Sequence, residues 1–566
     1  MKWKKSTFST LEERQKSIPG ALFDVPDYLT RTSDTLPKIM NLSELAMAIT
    51  ERLVNREIVI VPDYDCDGIM SGVIMYQALL FLTETAKQLS GKNASTCRFV
   101  VPDRALDGYG FSVSHAEQIT NSVVILLDNG IVQYDAIEKA KQNGCEVFVV
   151  DHHEPGERLP DADIIVNPHA IPGGDYDNYC AAGLCYRLVR EIFQQSWLVR
   201  SVAENTLQEK MKEFLFMASI ATVADVVPVL WENRVIIKEG TRYIPPRWEE
   251  ICFTLMDSKK SILNEGDIAF KIAPAINAVG RLGELNADFI MDLAVGDALD
   301  QLAARMQYMN AQRKQMTKDA MKTVTITDRN AKVVIVKGHG VAAGIVGIIA
   351  GNLAERFGKP VFVFGDAENG LITGSARAMK GTLHLKKLLD KVEKQNPGIT
   401  VRYGGHESAA GVTIRDEAFD AFEKALNALA DYQPITEREY DFELGGDYDW
   451  FNIYDAIQEY APFGEGNPSP LLHIHMNPQT DDVVIMGKEH LKIKDGIYEA
   501  VGFNMAGRYD RDVPECDLYG CLQLNEYRGG MRIQLNIEDF TQPQKSSEEK
   551  KPLTDFARSL SEKMKV

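Results

Sequence analysis

Residues 58–72 read IVIVPDYDCDGIMSG, an apolar run that ends in three carboxylates, Asp63, Asp65 and Asp67, spaced two residues apart. Carboxylates at this spacing repel one another unless positive charge lies among them, so the motif indicates a divalent cation. A calcium-binding EF-hand loop begins in the same way, but its twelfth position, normally a glutamate, is Ile74 here, and the preceding residues are β-branched and strand-like. A solvated acidic turn after a strand remains the alternative.

The same pattern of an apolar run followed by polar ligands recurs along the chain. SVVILLDNGI ends at Asp128, CEVFVVDHHEP ends at Asp151, His152 and His153, and FMASIATVADVVPV, which is more helical in its first half, delivers Asp225. Strands that alternate with amphipathic, glycine-closed helices predict a parallel α/β sheet. Ligands gather outside the carboxyl ends of such strands, where all four segments are expected to lie.

The expected donor set at this edge of the sheet consists of oxygen ligands and one or two imidazoles, which suits Mn²⁺ or Mg²⁺. The oxygen donors are Asp63, Asp65, Asp67, Asp128 and Asp225. These are more carboxylates than one ion needs, so we expect two ions that share a bridging aspartate. Two such ions can activate a water and stabilise the leaving oxygen of a phosphoryl displacement. The alternatives are an arginine-paired structural acid for Asp225 and a surface pair for the two histidines.

Length and composition limit the possible classes of protein. The 566 residues are enough for about two to four domains. The eight cysteines form no C-x-x-C pair, which indicates reduced thiols in a cytoplasmic protein, and we expect no segment of membrane-spanning length. The net charge of -19 argues against a nucleic-acid coat protein but is compatible with a nuclease that has a locally basic channel.

The strings DYDCDG, LLDNG, VVDHHEP and ATVADVVP resemble, in this order, the four motifs of the DHH phosphoesterase superfamily. Six further strings, VPDRALDGYG, INAVGRLG, GSAR, RYGGHESAAG, APFGEGNP and LNEYRGGMRIQLNIEDF, resemble the RecJ family of bacterial exonucleases. The resemblance covers residues 40–545. It implies a metal-dependent enzyme that hydrolyses the phosphodiester bonds of single-stranded DNA from 5′ to 3′, in DNA repair and recombination.

The resemblance also implies roles for individual residues. Asp63 and Asp65 would hold one ion, Asp67, His152 and Asp225 the other, and Asp128 would bridge the two ions. His153 would contact the scissile phosphate or the leaving oxygen, while Asp151 would brace the loop. The implied substrate-binding residues are Arg104, Asn277, Arg281, Ser375, Arg377, Gly404, Gly405 and His406.

The resemblance further implies an α/β architecture in which a parallel-sheet DHH domain and an α/β DHHA1 domain are joined by a long helix and followed by a β-barrel OB-fold. The expected segments are an N-terminal extension (1–39), the DHH catalytic domain (40–295), the connecting helix (296–330), the DHHA1 substrate-binding domain (331–433), the OB-fold nucleic-acid-binding domain (437–545) and a mobile tail (546–566).

Short alternating runs after residue 437 independently predict a small β-barrel, a fold that binds single strands by stacking. Its candidate DNA contacts are Tyr498, Phe503, Tyr527 and Arg532, with core packing as the alternative for the aromatic residues. Two lysine-rich stretches, 301–324 and 376–395, provide local positive charge that could attract a DNA backbone, although a solvated helix face has the same composition.

Other functions share parts of this pattern. A DHH phosphodiesterase acting on short oligonucleotides or cyclic dinucleotides would need the metal cluster but not the barrel. A scaffold protein with an inactive nuclease fold would be expected to have lost acids, and an inorganic pyrophosphatase would be shorter. The expected partners are single-stranded DNA, a single-stranded-DNA-binding protein and a helicase, with a monomeric chain and no membrane.

Overall fold

The computed structural model divides the chain into two compact units. The larger unit comprises Ile18–Ile435 with Pro462–Asn467, and the smaller comprises Met1–Ser17, Thr436–Ala461 and Pro468–Val566. Two predictions, Arg104 as a phosphate contact and a mobile tail over 546–566, lie outside the described residues. The structure describes residues 2–31, 33–54, 56–90, 95–102, 110–260, 262–324, 326, 328, 330–338, 341–365, 370–445, 449–479, 482–527 and 530–543.

The chain begins with two elements of the smaller unit, β1 (Lys2–Lys5) and α1 (Leu11–Lys16). The larger unit then starts with a lobe over residues 18–324, here called the first lobe. Its elements are α2 (Leu42–Glu51), β2 (Glu57–Pro62), α3 (Cys66–Ser90), β3 (Thr96–Phe99), α4 (Val113–Ala116), β4 (Val123–Leu127), α5 (Tyr134–Gln142), β5 (Glu146–Val150), β6 (Ile164–Val166), α6 (Ala181–Gln195), α7 (Glu204–Ala224), α8 (Trp231–Gly240), α9 (Pro246–Met256), α10 (Glu265–Asp267), α11 (Ala273–Arg281), α12 (Ala287–Val295) and α13 (Leu299–Thr323).

The sheet of the first lobe is wholly parallel, with strand order β3-β2-β4-β5-β6, which confirms the predicted fold class. Both faces are covered, because Ile60 packs into the cluster that contains α3, whereas Val59 packs into the cluster that contains α5. The chain runs from β2 to β3 on one side and then crosses to β4 on the other. The order therefore reverses between β2 and β4, and this switch point is where ligands bind in open α/β sheets.

Helix α3 corrects one expectation from the sequence. Residues Cys66–Leu89 are long and apolar enough to cross a membrane, although no segment of that length was expected. Inside the protein, 89% of the most apolar window is buried, as in the core helix of a soluble protein. The apolar character of α3 therefore has a packing reason, because the helix fills one face of the parallel sheet. All eight cysteines of the chain are free thiols, as predicted.

The second lobe of the larger unit covers residues 330–435 and follows the long helix α13. Its strand order is β10-β11-β9-β8-β7, in which only β7 and β8 are parallel. Its elements are β7 (Val334–Lys337), α14 (Val346–Phe357), β8 (Val361–Phe364), β9 (Leu371–Arg377), α15 (Leu385–Gln395), β10 (Thr400–Gly405), β11 (Ala409–Arg415) and α16 (Phe419–Leu429).

The smaller unit contains the short strands predicted for the C-terminal region. They form one sheet of order β13-β14-β18-β19-β17-β16-β15, while β12 pairs separately with β1. The elements are β12 (Glu437–Tyr440), β13 (Phe442–Leu444), α17 (Trp450–Gln458), β14 (Leu472–Met476), β15 (Val483–Met486), β16 (His490–Asp495), β17 (Tyr498–Gly502), β18 (Cys516–Tyr527) and β19 (Gly530–Thr541).

The pairing of β1 with β12 was not expected from the sequence. Lys2 aligns with Glu437 in a parallel register, and Trp3 stacks on Tyr519 with ring centroids 4.1 Å apart. The four residues KWKK show no strand period of their own, and their partner strand lies more than four hundred residues away along the chain. The sequence therefore gives no local sign of this pairing. The N-terminal residues are therefore part of the smaller unit.

The first lobe contains a buried charge network centred on Glu232 in α8. Its carboxylate accepts hydrogen bonds from the hydroxyl of Tyr28 at 2.6 Å, from the hydroxyl of Tyr179 and from the guanidinium of Arg187. Glu232 and Arg187 are both buried. The two charges compensate each other in an apolar interior. Removal of one would leave the other buried without its counter-charge.

Glu232→Ala is expected to lower the free energy of unfolding by about 3–5 kcal/mol, because it leaves the buried charge of Arg187 unpaired. The measurement is the melting temperature of the full chain. Glu239→Ala on the same helix is the control, because its partner Arg242 is exposed and such pairs contribute about 0–1 kcal/mol. Equal melting temperatures for the two variants would contradict the network.

Candidate metal centre

Three of the four predicted ligand segments meet at one edge of the parallel sheet. The backbone N–H of Asp63 donates to Leu127 O (3.1 Å), that of Asp128 to Val150 O (2.9 Å) and that of Asp151 to Val166 O (3.1 Å). Each aspartate therefore extends the hydrogen-bond ladder by one residue beyond its strand. The edge coincides with the switch point between β2 and β4.

The motif DYDCDG makes a tight connection from β2 to α3. Asp65 Oδ1 accepts hydrogen bonds from the backbone N–H groups of Asp67 (2.9 Å) and Gly68 (3.2 Å), which caps the helix. A Cβ atom at Gly68 would lie 2.5 Å from Asp63 O, so no other residue fits this return. The glycine thus has a steric reason and brings the three carboxylates into one turn.

The carboxylate of Asp67, a residue of α3, lies against the start of helix α6. Its two oxygens accept the backbone N–H groups of Ala181 (2.7 Å) and Ala182 (2.8 Å), where the helix dipole favours negative charge. Burial and the neighbouring Asp65 nevertheless raise the pKa of Asp67 to about 6. These contacts orient the carboxylate, but they do not fully offset the free-energy cost of burying its charge.

Asp225 differs from the expectation, because it does not follow a strand. It ends helix α7 as the C-terminal cap, and the next residue, Val226, adopts a left-handed φ of 57°. An apolar run of this length fits a buried strand or a buried helix, so the sequence pattern could not distinguish them. A helix C-terminus disfavours a carboxylate, and burial together with Asp67 and Asp65 raises the pKa of Asp225 well above its usual value.

Asp128 stands in a left-handed turn, with a φ of 62°. The buried side chain of the next residue, Asn129, donates to Val61 O and Leu127 O, both at 2.9 Å, and accepts the backbone N–H of Phe111. Asn129 thereby fastens the ends of β2 and β4 together and fixes the turn. This role of Asn129 is not visible in the sequence, because its contacts with Val61 and Phe111 are not local.

The ligand atoms form three groups in which all atoms lie within 4.8 Å of one another. The groups are Asp63, Asp65 and Asp128; Asp67, His152 and Asp225; and Asp128, His152 and His153. Asp128 and His152 each belong to two groups. The structure therefore brings together all six residues predicted to bind metal.

The donor atoms suit a divalent cation. Burial lowers the pKa of His152 to about 3, with the charge of His153 as a further cause, so the ring is neutral. Its buried Nε2 forms no hydrogen bond within the described part of the chain and lies 3.2 Å from Asp128 Oδ1 and 3.6 Å from Asp225 Oδ2. Burial, followed by repulsion from the other acids, raises the pKa of Asp128 well above its usual value. Carboxylate oxygens are the donors that suit Mn²⁺ and Mg²⁺, and a neutral imidazole can offer its ring nitrogen to a metal ion as well.

His153 and Asp151 form an ion pair beside this cluster, with Nδ1 and Oδ1 2.8 Å apart. Burial alone would lower the pKa of His153, but Asp151 raises it to about 9. Burial would raise the pKa of Asp151, but His153 lowers it to about 2. Asp151 also accepts the backbone N–H groups of Ile131 (3.0 Å) and His152 (2.8 Å), so it holds the loop that carries both histidines.

Helix α11 packs against the DYDCDG loop. Asn277 Oδ1 accepts the backbone N–H of Cys66 (2.8 Å), and a Cβ atom at Gly280 would lie 2.0 Å from Tyr64 O. At the C-terminal end of α11, a Cβ atom at Gly344 would lie 2.0 Å from Arg281 O, so the two lobes meet there. The structure gives Asn277 a positioning contact, and its contact with substrate stays a prediction.

The second lobe brings the β10–β11 hairpin near the metal centre. Burial lowers the pKa of His406, and the charge of His153 in the first lobe lowers it further, so the two histidines interact electrostatically. Gly405 has a φ of 136°, and its Cβ would lie 2.4 Å from Ala409 O, so the hairpin itself requires this glycine. Gly404 has open space at the same position, as the predicted approach of a nucleotide needs.

Ser375 and Arg377 lie on strand β9 of the same sheet. Arg377 Nη1 donates to Ser375 Oγ (3.0 Å) and to Ala376 O (2.8 Å). A Cβ atom at Gly347 would lie 3.1 Å from Ser375 Oγ and 3.2 Å from Arg377 Nη2, so the start of α14 packs on both side chains. The roles of Ser375 and Arg377 in binding phosphate stay predictions.

Comparison with known proteins agrees with this geometry. The chain matches the sequence models of the DHH family N-terminal domain over residues 57–219, the DHHA1 domain over 330–431 and the RecJ OB domain over 440–539. It is 28% identical over 523 residues to the single-stranded-DNA-specific exonuclease RecJ of Haemophilus influenzae, covering 86% of this chain and 88% of that protein.

Two crystal structures of RecJ from Thermus thermophilus share the fold. The complex with Mn²⁺ has a TM-score of 0.75 at 23% identity and covers 96% of this chain and 80% of that one. The complex with Mg²⁺ has a TM-score of 0.69 at 22% identity and covers 96% and 79% of the respective chains.

A parallel sheet with aspartates and histidines clustered at its switch point, matched by the DHH model, defines a metal-dependent phosphoesterase of the DHH family. The DHHA1 and RecJ OB domains follow in order, and the curated relatives match over most of their length. These comparisons confirm the predicted resemblance to RecJ, and the ligand groups of this chain could hold divalent metal ions.

The Asp128→Asn substitution distinguishes the repulsion among the carboxylates from metal binding. Asparagine suits this position because it also tolerates a left-handed backbone. In EDTA the variant is expected to melt at or above the wild-type temperature, since one buried negative charge is gone. Excess Mn²⁺ should stabilise the wild type by about 2.7 kcal/mol at a hundredfold excess over Kd and the variant much less.

Scanning calorimetry with and without Mn²⁺ measures both effects. Asp161→Asn is the control. Asp161 is exposed and precedes the parallel strand β6, so it lies at the end of the sheet opposite to the cluster. A full Mn²⁺ shift in Asp128→Asn would show that Asp128 is not a ligand.

Proposed function

We propose that the chain is a single-stranded-DNA-specific exonuclease that degrades DNA from 5′ to 3′ with a two-metal mechanism, in DNA repair and recombination. The observation that carries this proposal is the meeting of two ligand groups at Asp128, in a chain whose curated relatives are named single-stranded-DNA-specific exonucleases. The proposed 5′ to 3′ direction rests on the resemblance to the RecJ family.

The proposed ligand sets follow the observed groups. Asp63 and Asp65 would hold one ion, and Asp67, His152 and Asp225 the other. Asp128 would bridge the ions, because its carboxylate lies in the group of Asp63 and also 3.2 Å from His152 Nε2. Bound divalent ions supply an activated water and neutralise charge on the phosphoryl oxygens.

His153 would act on the phosphate as a cation. Its pKa of about 9 keeps the ring protonated at neutral pH, and Asp151 fixes its orientation. A protonated imidazole beside the metal ligands can donate a hydrogen bond to a phosphoryl oxygen or to the leaving oxygen. The positive charge of His153 would also offset the negative charge that develops on the phosphate during displacement.

The second lobe would bind the nucleotide. We assign phosphate contacts to Ser375 and Arg377, and backbone and imidazole contacts to the hairpin of Gly404, Gly405 and His406. Arg281 would bind the substrate at the junction of the lobes, where its backbone meets Gly344. The RecJ OB domain over residues 440–539 would bind the rest of the strand.

Partners and location are proposed from the resemblance to the RecJ family. The chain would act as a cytoplasmic monomer, together with a single-stranded-DNA-binding protein and a helicase. The second candidate, a phosphodiesterase for short oligonucleotides or cyclic dinucleotides, needs the same metal cluster. The match to a RecJ OB domain favours the exonuclease, because a dinucleotide does not require an additional strand-binding domain.

The decisive assay compares a long 5′-labelled single strand, the matching blunt duplex and a dinucleotide. With Mn²⁺, the long single strand is expected to be degraded from its 5′ end and the duplex to persist, whereas EDTA should stop the reaction. Asp128→Asn should lose about a hundredfold or more in rate, since removal of a shared ligand costs several kcal/mol of transition-state stabilisation.

Asp161→Asn should retain wild-type activity in this assay. Efficient turnover of the dinucleotide without degradation of the long strand would favour the second candidate instead.

Arg377→Ala and His406→Ala test the assignment of the second lobe. Each is expected to raise KM for single-stranded DNA about ten- to a hundredfold, because a hydrogen bond to a charged group contributes about 1.5–3 kcal/mol. Calorimetric Mn²⁺ affinity should stay at the wild-type value, since neither residue lies in the ligand groups. Lys424→Ala, at an exposed position in the same lobe, is the control. A lower Mn²⁺ affinity with unchanged KM would refute the assignment.

A further inference from the structure

Residues 462–467, PFGEGN, interrupt the smaller unit and belong to the larger one. We call this segment the clasp, because it closes on itself. The backbone N–H of Gly464 donates to Asn467 O (3.0 Å), and that of Asn467 donates to Gly464 O (3.2 Å). The buried side chain of Asn467 donates to Pro462 O (2.9 Å). The clasp is therefore a small closed turn, although the flanking chain belongs to the other unit.

The clasp packs directly on the loop that follows Asp225. The backbone N–H of Val229 donates to Glu465 O at 2.8 Å. A Cβ atom at Gly464 would lie 2.6 Å from Val229 Cγ2, and one at Gly466 would lie 3.0 Å from Leu230 Cδ1. Glycines are needed at both positions because the loop and the clasp approach so closely.

The loop held in this way is strained. Val226 has a φ of 57° and is 66% exposed, and Trp231 has a φ of 48°. β-branched and aromatic residues adopt this left-handed conformation only when their surroundings impose it. Helix α7 fixes the start of the loop at Asp225, whereas the clasp fixes Val229 near its end.

The clasp also contacts two other parts of the larger unit. The backbone N–H of Phe463 donates to Glu265 Oε1 (2.8 Å), and Lys380 Nζ donates to Glu465 Oε1 (2.8 Å). Lys380 lies in the second lobe, three residues after Arg377. The ion pair of Lys380 and Glu465 is exposed and contributes little stability, so the backbone contact with Val229 matters more to the hold of the clasp on the loop than this ion pair does.

We infer that the clasp is a positioning element for the metal centre: it holds the strained loop of residues 226–230 so that Asp225 faces Asp67 and His152. The clasp would act through Val229, to which it is hydrogen-bonded, and not as a metal ligand itself. This inference rests on the proposed function for its activity readout, but its metal readout does not. It also gives a physical reason for the string APFGEGNP, one of the strings that resemble the RecJ family.

Gly464→Ala tests the inference, because the added methyl group would push on Val229 Cγ2. Mn²⁺ affinity is expected to fall about ten- to a hundredfold, as for other supports of metal ligands. At saturating short single-stranded DNA, kcat should fall by on the order of tenfold or more while KM changes little, since a displaced ligand impairs the chemical step. Calorimetry with Mn²⁺ alone gives the first value, and steady-state kinetics with a short oligonucleotide gives the second.

Rescue distinguishes positioning from a general loss of stability. Val229→Ala removes the methyl group that Gly464→Ala would meet, so the double variant is expected to recover most of the Mn²⁺ affinity and kcat. Val229→Ala alone measures the cost of the truncation. Glu459→Ala, at an exposed position in the chain before the clasp, should match the wild type.

Glu465→Ala separates the backbone contact from the side-chain ion pair. It removes the contact with Lys380 but keeps the carbonyl that accepts the N–H of Val229. Mn²⁺ affinity is therefore expected to stay at the wild-type value. A loss as large as that of Gly464→Ala would assign the effect to the ion pair and overturn the inference as stated.

The outcomes separate this inference from the proposed function. If the wild type degrades no single-stranded DNA, but Gly464→Ala weakens Mn²⁺ binding and the double variant restores it, the proposed function fails and the inference stands. Wild-type Mn²⁺ affinity and kcat in Gly464→Ala, or a loss that Val229→Ala does not restore, would overturn the inference. If Gly464→Ala does not fold, Asn467→Ala opens the clasp without adding bulk, and the same loss of Mn²⁺ affinity is expected from it.

Discussion

The mutual repulsion of buried carboxylates is the constraint on which the rest of the structure depends. Asp63, Asp67 and Asp128 are nearly inaccessible to solvent, and burial with the neighbouring acids raises the pKa of Asp128 well above its usual value. Backbone N–H groups at the start of α6 offset part of this cost for Asp67. Divalent cations offset the remainder, so the same feature that destabilises the empty site creates its affinity for metal.

The backbone around the cluster is correspondingly constrained. Asp128 and Val226 adopt left-handed conformations, and Gly68 and Gly280 permit contacts that a Cβ atom would block. Such geometry persists only inside a rigid surround. The covered parallel sheet supplies that surround, and Asn129 fixes the two strand ends at which the ligands meet.

The larger unit contains every group that the proposed chemistry needs, although these groups come from distant parts of the chain. The first lobe supplies the ligands, and the second lobe brings His406 near them. The clasp, from beyond residue 460, holds the loop next to Asp225. Removal of everything after residue 435 would therefore take away a part of the larger unit, while leaving behind the N-terminal strand that pairs with β12.

The sequence by itself predicted the fold class and the side chains that the structure groups at the sheet edge, because strand periodicity, helix closure and the DYDCDG and DHH motifs are local. Three ligand segments were placed correctly at strand ends for the same reason. Only the tertiary structure decided that Asp225 ends a helix, that Asn277 supports Cys66 and that residues 2–5 join a strand at 437–440. Each of these depends on burial or on a partner far away along the chain, and no local pattern of residues encodes which distant surface will cover a segment.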